Sequence, residues 1–307
     1  MARTALFSRK QPGGAFTIAD IDKHPGEILF VHSGTGTDAA GNGRNPDAPL
    51  ATIDYAIGLC TADKGDVIYV MPGHNEGLGD AQITVDVAGV SIIGLGRGAL
   101  RPRIDFDHAN ASIDVAANGC TLKNLVLLPS VTAVAIGIDV NAAATDTLIE
   151  DVEALPGEDG AGVDEFVLVV DIKAGCTRTT VRGLKVRPHA SAAGCVAGVK
   201  LTGASDDVLI EDCDIALLGA AGVAPINGDT TLSTNVRIKG CVLVSDDEPG
   251  IELLTGTTGS IHDTDIFSNL ATIAAATVAD GMAHFRVRYV EVGNESDAVV
   301  KTASADD

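Results

Sequence analysis

A repeat of about 28 residues is the feature that most constrains what this chain can fold into. An apolar residue, a residue that is polar in six of seven cases, and then Gly, Asn or Asp recur seven times, with 23 to 32 residues between successive starts. The motif begins at Ile92, Leu122, Ile149, Val181, Ile210, Ile238 and Ile261. Apolar residues continue to alternate after each motif, which predicts a strand with one buried face.

A second short strand is predicted upstream of each motif, for example at Ile83/Val85 and at Ile113/Val115. The coil near Ile226 is irregular in this respect. Each period therefore contains two or three strands separated by corners, and no helix fits inside it. Such a period predicts an all-β parallel solenoid of about eight coils, in which each coil stacks on the previous one by strand hydrogen bonds.

Equivalent residues of neighbouring coils should stack into ladders along this rod. The second motif position alternates in charge as far as Lys239, which predicts ion pairs between coils; it contains Lys123, Glu150, Arg182, Glu211, Lys239 and His262. The third position has residue types that tolerate a left-handed corner; it contains Gly94, Asn124, Asp151, Gly183, Asp212, Gly240 and Asp263. Cys213 and Cys241 share one inward position, so we expect buried thiols there rather than a disulfide.

Residues 28–76 lie outside the repeat and have the features of a cap. Strands are predicted at residues 28–31 and 66–70. Between them, Ile53, Ala56, Ile57 and Cys60 have the spacing of one apolar helix face. A solenoid must cover its open end, because exposed strand edges aggregate. We therefore expect a short amino-terminal capping helix.

This stretch also resembles a known family. The resemblance is carried by Phe30-Val31, Gly36-Thr37-Asp38, Pro46, Pro49-Leu50-Ala51-Thr52-Ile53, Ala56, Gly65-Asp66-Val67-Ile68-Tyr69-Val70 and Pro72-Gly73-His74. These segments resemble the amino-terminal cap of pectin-lyase-like right-handed parallel β-helix proteins, and residues 65–76 look like bacteriophage members, which include virion proteins. The resemblance implies a right-handed parallel β-helix. It leaves the activity open, since this fold is found in lyases, hydrolases, tailspikes and inert structural proteins.

Four segments follow from these observations: an arm at 1–27, the cap at 28–76, the β-helix at 77–293 and an acidic tail at 294–307. The first ten residues contain Arg3, Arg9 and Lys10 and no acid. They are either a flexible terminus or an arm that docks on an acidic partner. Residues 285–292 alternate strongly, and form either the last coil or a strand exchanged with a neighbouring subunit.

Charge and composition exclude several classes of function. A formal charge of −21 argues against a nucleic-acid partner, because phosphates would be repelled. The apolar stretches are far shorter than a membrane span, and residues 1–10 lack the apolar core of a signal peptide, so neither a membrane nor that export route is expected. The six Cys are far apart without metal-site spacing, so we expect reduced core residues and no metal or cofactor.

No catalytic residue is assigned from the sequence. The Arg237-Ile238-Lys239 run matches a polygalacturonase-type element, with Asp206-Asp207 upstream, but the His and Asn-Thr-Asp elements are missing. We therefore interpret this match as structural. The loop acids Asp246, Asp247 and Glu248 are a possible cation site or merely a solvated loop. With no Trp, three Tyr and an acidic surface, the chain lacks the usual platform for binding sugars.

The variable loops between coils are rich in small apolar residues, which predicts subunit packing and, with the resemblance, a homotrimer. The leading hypothesis is thus a non-enzymatic phage virion protein, assembled in the host cytoplasm, which decorates a capsid or forms a spike. Its arm would dock on a capsid or tail protein. The alternative is a carbohydrate-active β-helix, a lyase or depolymerase, or a sugar-binding receptor module.

Overall fold

The computed structural model describes eleven ranges of the chain: residues 10–11, 14–15, 26–142, 144–157, 164–187, 195–217, 224–228, 230–245, 249–268, 282–291 and 301–302. Over these ranges the chain winds into a parallel β-solenoid with three sheets. The predicted fold class is confirmed. The domain boundaries inferred from the sequence stay a prediction.

The first sheet has ten strands, paired in parallel from the cap to the last coil. They are Ile28–Val31, Val67–Val70, Ser91–Gly94, Thr121–Lys123, Leu148–Glu150, Thr180–Arg182, Leu209–Glu211, Val236–Lys239, Gly259–His262 and Met282–Phe285. These are the two cap strands, the seven motif strands of the sequence repeat and, at the end, the strand Met282–Phe285.

The second sheet also has ten strands. They are Asn75–Gly77, Arg103–Phe106, Val126–Pro129, Glu153–Ala154, Lys185–Val186, Asp214–Leu217, Val242–Ser245, Asp265–Ser268, Arg288–Glu291 and Lys301–Thr302. The last strand pairs antiparallel with its neighbour. The strands at 282–285 and 288–291 continue the first two sheets, so residues 285–291 belong to the last coil of the same chain.

The third sheet has seven strands. They are Gln82–Val85, Ser112–Val115, Val134–Val140, Phe166–Ile172, Ala197–Leu201, Ile226–Gly228 and Ile251–Leu253. The coil near Ile226, which looks irregular in sequence, supplies a regular strand of this sheet. Seven coils contribute to all three sheets, slightly fewer than the predicted eight.

Three short elements lie outside these sheets, apart from the capping helix described below. The two-residue strands Lys10–Gln11 and Gly14–Ala15 pair antiparallel, and Gly98–Leu100 forms one turn of 3₁₀ helix. Within the described ranges no helix is long and apolar enough to cross a membrane.

Ladders of branched apolar side chains fill the solenoid interior. On the third sheet, Ile83, Ile113, Ile138 and Val170 are opposed in register, and each is at most 1% exposed. Burying one such side chain contributes about 1.5–3 kcal/mol. Because each residue packs on its equivalent in the next coil, the repeat in sequence becomes a continuous core.

The corner between the first and second sheets has the predicted left-handed backbone at six of the seven positions. Gly94 is the exception, and its prediction was wrong. A longer connection follows it, and a Cβ there would lie 2.1 Å from the Asn124 carbonyl oxygen. Glycine at 94 thus permits a close approach, not a left-handed turn. Arg286 turns the last such corner at φ 54°, with a residue type that the motif does not include.

The predicted charge ladder is present on the first sheet. Glu150 contacts Lys123 and Arg182, and Glu211 lies 3.0 Å from Arg182 Nε and 2.9 Å from Lys239 Nζ. The thiol prediction is also confirmed. All six cysteines are free, and Cys213 and Cys241 are buried.

The capping helix spans Ile53–Ile57, shorter than the apolar stripe predicts, because the chain turns at Gly58. Its buried face contains Ile53, Ala56 and Ile57. Glu76 anchors its first turn: Oε2 accepts a 3.1 Å hydrogen bond from the Ile53 backbone N–H. The same oxygen lies 3.0 Å from His74 Nε2, and both side chains are at least nine-tenths buried. The cap is therefore fixed to the first coil by a buried polar contact.

Candidate functional site

Most of the residues proposed from the sequence as sites lie outside the described residues: Arg3, Arg9, Asp246, Asp247 and Glu248. Lys10 begins the strand Lys10–Gln11, and its side chain is likewise outside the description. The docking arm and the loop cation site therefore stay predictions.

The Arg237–Lys239 match has structural partners. Arg237 donates a 2.6 Å hydrogen bond to Asp207, and Lys239 belongs to the charge ladder. Asp206 accepts hydrogen bonds from Thr234 and Asn235. These contacts join neighbouring coils and account for the run without a catalytic role.

A polar row on the outward face of the third sheet is the strongest candidate site. One residue per coil contributes to it, and each is directly opposed to the next along seven strands. The polar row consists of Thr84, Asp114, Asp139, Asp171, Lys200, Asn227 and Glu252. Neighbouring parallel strands lie about 4.8 Å apart, so these side chains form a straight line along the rod.

Sequence reasoning missed this row, although a signal was available. The tripeptides Ile113-Asp114-Val115, Ile138-Asp139-Val140 and Val170-Asp171-Ile172 place one Asp between two β-branched residues in three successive coils. Alternation sends the two apolar residues inward and the carboxylate outward. Loops of different length hide the equivalence, because the spacing between the tripeptides is not constant.

Asp171 is the buried centre of the row, at 1% exposure. It accepts a 2.7 Å hydrogen bond from Lys173 Nζ and another from the Thr202 hydroxyl. Burial works to lower the pKa of Lys173, but the hydrogen bond to Asp171 and the nearby Asp139 outweigh it and raise that pKa. Lys173 is thus a fixed ammonium group between two carboxyl groups.

Asp139 has different surroundings. Its side chain is 22% exposed, and Oδ1 lies 3.6 Å from Lys173 Nζ, beyond a good hydrogen bond. Burial raises the pKa of Asp139; Lys173 opposes this shift, and the carboxylates of Asp171 and Asp114 add to it. Asp139 therefore retains its proton at a higher pH than an ordinary aspartate.

Asp114 is directly opposed to Asp139 on the neighbouring strand. Its Oδ1 accepts a 3.1 Å hydrogen bond from the Asn141 side-chain amide. Two partly exposed carboxyl groups thus lie side by side, one desolvated and one hydrogen-bonded. Two neighbouring carboxyl groups in such unlike surroundings are an arrangement that acid–base catalysis uses.

The far end of the row is polar as well. Asn227 is fully buried and donates a 3.1 Å hydrogen bond to Glu252, while its Oδ1 has no hydrogen-bond partner in the described part of the chain. Lys200 forms no ion pair with any described residue. Over the same ranges, no group of three or more His, Cys, Asp or Glu side chains is arranged to hold a metal ion.

The fold resembles solved structures, but the sequence does not match known families. The structure superposes on a rhamnogalacturonan lyase with a TM-score of 0.64 and 12% identity, covering 87% of this chain and 75% of that one. It superposes on the pectate lyase Pel9A with a TM-score of 0.52 and 15% identity, covering 90% and 78%. No protein-family model matches the sequence, and no curated protein does.

At these identities the likeness establishes the fold and nothing finer. It agrees with the parallel β-helix fold that the resemblance of the cap implies. Neither structure is a phage protein by name, so the virion part of the resemblance stays a prediction.

Proposed function

We propose that this chain is a carbohydrate-active β-helix that binds a glycan along the polar row and hydrolyses it with Asp114 and Asp139. The observation that carries the proposal is the pair of opposed carboxyl groups in unlike surroundings. Glycoside hydrolases use two carboxyl groups that flank the scissile bond, one as an acid and one as a nucleophile or base. The similar structures, a rhamnogalacturonan lyase and a pectate lyase, support a glycan as the ligand.

In this mechanism Asp139 is the proton donor, because burial raises its pKa. The glycosidic oxygen takes the Asp139 proton as its bond to the anomeric carbon breaks, and the Asp114 carboxylate bonds to that carbon. Water then loses a proton to Asp139 and displaces Asp114, which returns both groups to their starting forms. Lys173 is a positioning residue: it is fixed by Asp171 and restrains Asp139.

The strand spacing predicts the stereochemical outcome. Neighbouring strands are about 4.8 Å apart, which is near the separation of about 5–5.5 Å between carboxyl groups in retaining enzymes and too short for an intervening water. We expect retention of the anomeric configuration, which proton NMR of the first-formed product would show.

The charges of the site favour an uncharged substrate. Asp114, Asp139, Asp171 and Glu252 contribute four carboxyl groups on this face, and Lys173 and Lys200 contribute two ammonium groups. An anionic polymer would be repelled, whereas carboxylates accept hydrogen bonds well from sugar hydroxyls.

Release of reducing ends from a panel of neutral and acidic polysaccharides tests the proposal. We expect activity on a neutral glycan that falls at least a hundredfold in Asp139→Asn and Asp114→Asn. Asp214→Asn is the control: this carboxylate lies on the second sheet, paired with Arg187. Equal loss in all three variants, or full activity in both site variants, would refute the roles assigned.

Lys200 favours a second candidate reaction. An ammonium group without a carboxylate partner, next to Asp171 in the row, could neutralise a uronate and support β-elimination. That reaction leaves an unsaturated product, which ultraviolet absorbance distinguishes from the hydrolytic one. If the wild-type chain forms an unsaturated product and Lys200→Gln does not, the reaction is β-elimination and the hydrolytic proposal is wrong.

The virion hypothesis remains a separate proposal. The homotrimer and the docking arm concern surfaces that include residues outside the description. Light scattering of the 31.2 kDa chain tests the trimer. A monomer would argue against it.

A further inference from the structure

A groove at the corner between the first and second sheets is distinct from the polar row. It has two adjacent chambers, of about 270 and about 600 Å³, which share Gly98, Arg101 and Glu153 in their linings. The loop that joins the strands Ser91–Gly94 and Arg103–Phe106 forms one wall. Volumes of this size suit a small ligand.

Polar contacts hold that wall in place. The Asn124 side-chain amide donates hydrogen bonds of 2.7 and 3.2 Å to the carbonyls of Gly94 and Gly96. Arg101 forms a 2.7 Å ion pair with Glu153 and donates a 2.6 Å hydrogen bond to the Asp151 carbonyl. The groove is therefore built by the fold and does not require a ligand to form.

The floor of the smaller chamber is open because the corner residue there is Gly183. Its backbone is left-handed, at φ +63°, and an added Cβ would lie 2.9 Å from Asp151 Oδ1. The two preceding corners have side chains at this position, Asn124 and Asp151. Glycine at 183 leaves room where a side chain would fill the chamber.

Cationic side chains that form no ion pair with a described residue also line the groove. In the described part of this chain, every Lys and Arg side chain except four forms an ion pair with a carboxylate. The four are Lys64, Arg97, Lys185 and Lys200. Arg97 and Lys185 both line the smaller chamber. Arg101 adds a buried Nε without a hydrogen-bond partner in the described residues.

Two carboxylates also line this chamber. Glu153 is neutralised by Arg101, whereas Asp151 lines the chamber and forms no ion pair with a described residue. In a chain with a net charge of −21, carboxylates outnumber cationic side chains, so each Arg or Lys side chain is expected to form an ion pair. Arg97, Arg101 and Lys185 outnumber the two carboxylates of this chamber, so an anionic group there would meet a net positive charge.

We infer that this groove binds an anionic sugar unit, whose carboxylate, sulfate or phosphate group contacts Arg97 and Lys185. The larger chamber would hold the ring: Val126 and Leu155 supply apolar surface, and Asn75 and Arg103 supply hydrogen-bonding groups. A guanidinium and an ammonium are the side chains that bind such oxyanions. The inference does not depend on cleavage at the polar row.

Calorimetric titration of the full chain tests this inference with four probes that share one ring: glucuronic acid, glucose 6-sulfate, glucose 6-phosphate and glucose. We expect the charged probes to bind and glucose to bind at least tenfold more weakly, and the ranking of the three identifies the anionic group. Arg97→Gln and Lys185→Gln should each weaken binding about tenfold. Asp151→Asn, which removes the competing carboxylate, should strengthen it.

Lys64→Gln is the matched control, because it removes an unpaired cation that lies outside both the groove and the polar row. Equal weakening in this variant, or glucose binding as tightly as the charged probes, would overturn the inference. If only Lys200→Gln weakened binding of the charged probes, the anion would bind at the polar row and not in the groove. Circular dichroism of each variant establishes that it is folded.

Discussion

The buried contact between Glu76 and His74 makes a sharp prediction about the cap. The Ser33 backbone N–H donates a 3.0 Å hydrogen bond to His74 Nδ1, so that nitrogen has no proton. The proton of the neutral ring is therefore on Nε2, which lies 3.0 Å from Glu76 Oε2 and donates to it. The same carboxylate accepts from the Ile53 N–H at 3.1 Å. Glu76 thus satisfies two buried donors, one in the first coil and one at the capping helix.

Glu76→Ala leaves both donors without an acceptor. An unsatisfied buried polar group costs about 1–3 kcal/mol, so we expect the free energy of unfolding to fall by about 2–6 kcal/mol. Glu76→Gln keeps one acceptor oxygen and should lose about half as much. Urea unfolding followed by circular dichroism measures the change. Hydrogen exchange at the Ile53 amide shows whether the loss lies in the cap.

Glu27→Ala is the matched control, because Glu27 also forms an ion pair in the cap, with Arg44, but on the surface. Exposed pairs contribute about 0–1 kcal/mol. If Glu76→Ala cost less than about 1 kcal/mol, or no more than Glu27→Ala, the reasoning from buried donors would be wrong.

Three further predictions follow from charge and burial. The pKa of Asp139 is raised in the folded state, so its ionisation opposes folding at pH values above the ordinary aspartate pKa of about 3.9. Asp139→Asn should therefore raise the unfolding midpoint at neutral pH and have no effect below about pH 4; a lower midpoint at neutral pH would contradict this. Glu211→Lys places a third cation between Arg182 and Lys239. We expect the melting temperature to fall by a few degrees, and by more at low salt, because salt screens the repulsion. A decrease that is the same at all salt concentrations would exclude the charge ladder as its cause. Desolvation of the half-buried Cys195 thiol raises its pKa to about 12, so iodoacetamide should label it slowly in the folded protein and rapidly in urea. Fast labelling of the folded chain would refute the raised pKa.

Much of the fold could be predicted because it is local or periodic. The motif strands, the charge ladder around Glu211 and the thiols at Cys213 and Cys241 all follow from one repeat, in which each position meets its own equivalent one coil away. The corner residues follow from the tolerance of Asn, Asp and Gly for left-handed backbone. Arg286 and Gly94 depart from the pattern because one turns a corner with an unexpected side chain and the other permits a close backbone contact.

The candidate sites could not be predicted in the same way. Asp114 and Asp139 are 25 residues apart, and Asp139 and Asp171 are 32 apart, so no fixed spacing marks them as neighbours. The sheet register opposes them directly. The groove combines Arg97 with Lys185, which are still further apart and belong to different coils.

The amino-acid sequence thus determined the architecture, since a periodic pattern of apolar residues, corners and alternating charges has one way to bury its strands: by stacking coil on coil. The sequence did not show which side chains lie together in the candidate sites. Register alone brought the carboxyl groups of the polar row together, and burial made the environment of Asp139 differ from that of Asp114. Desolvation and through-space charge depend on the distance between coils, which the tertiary structure sets and the order of residues does not show.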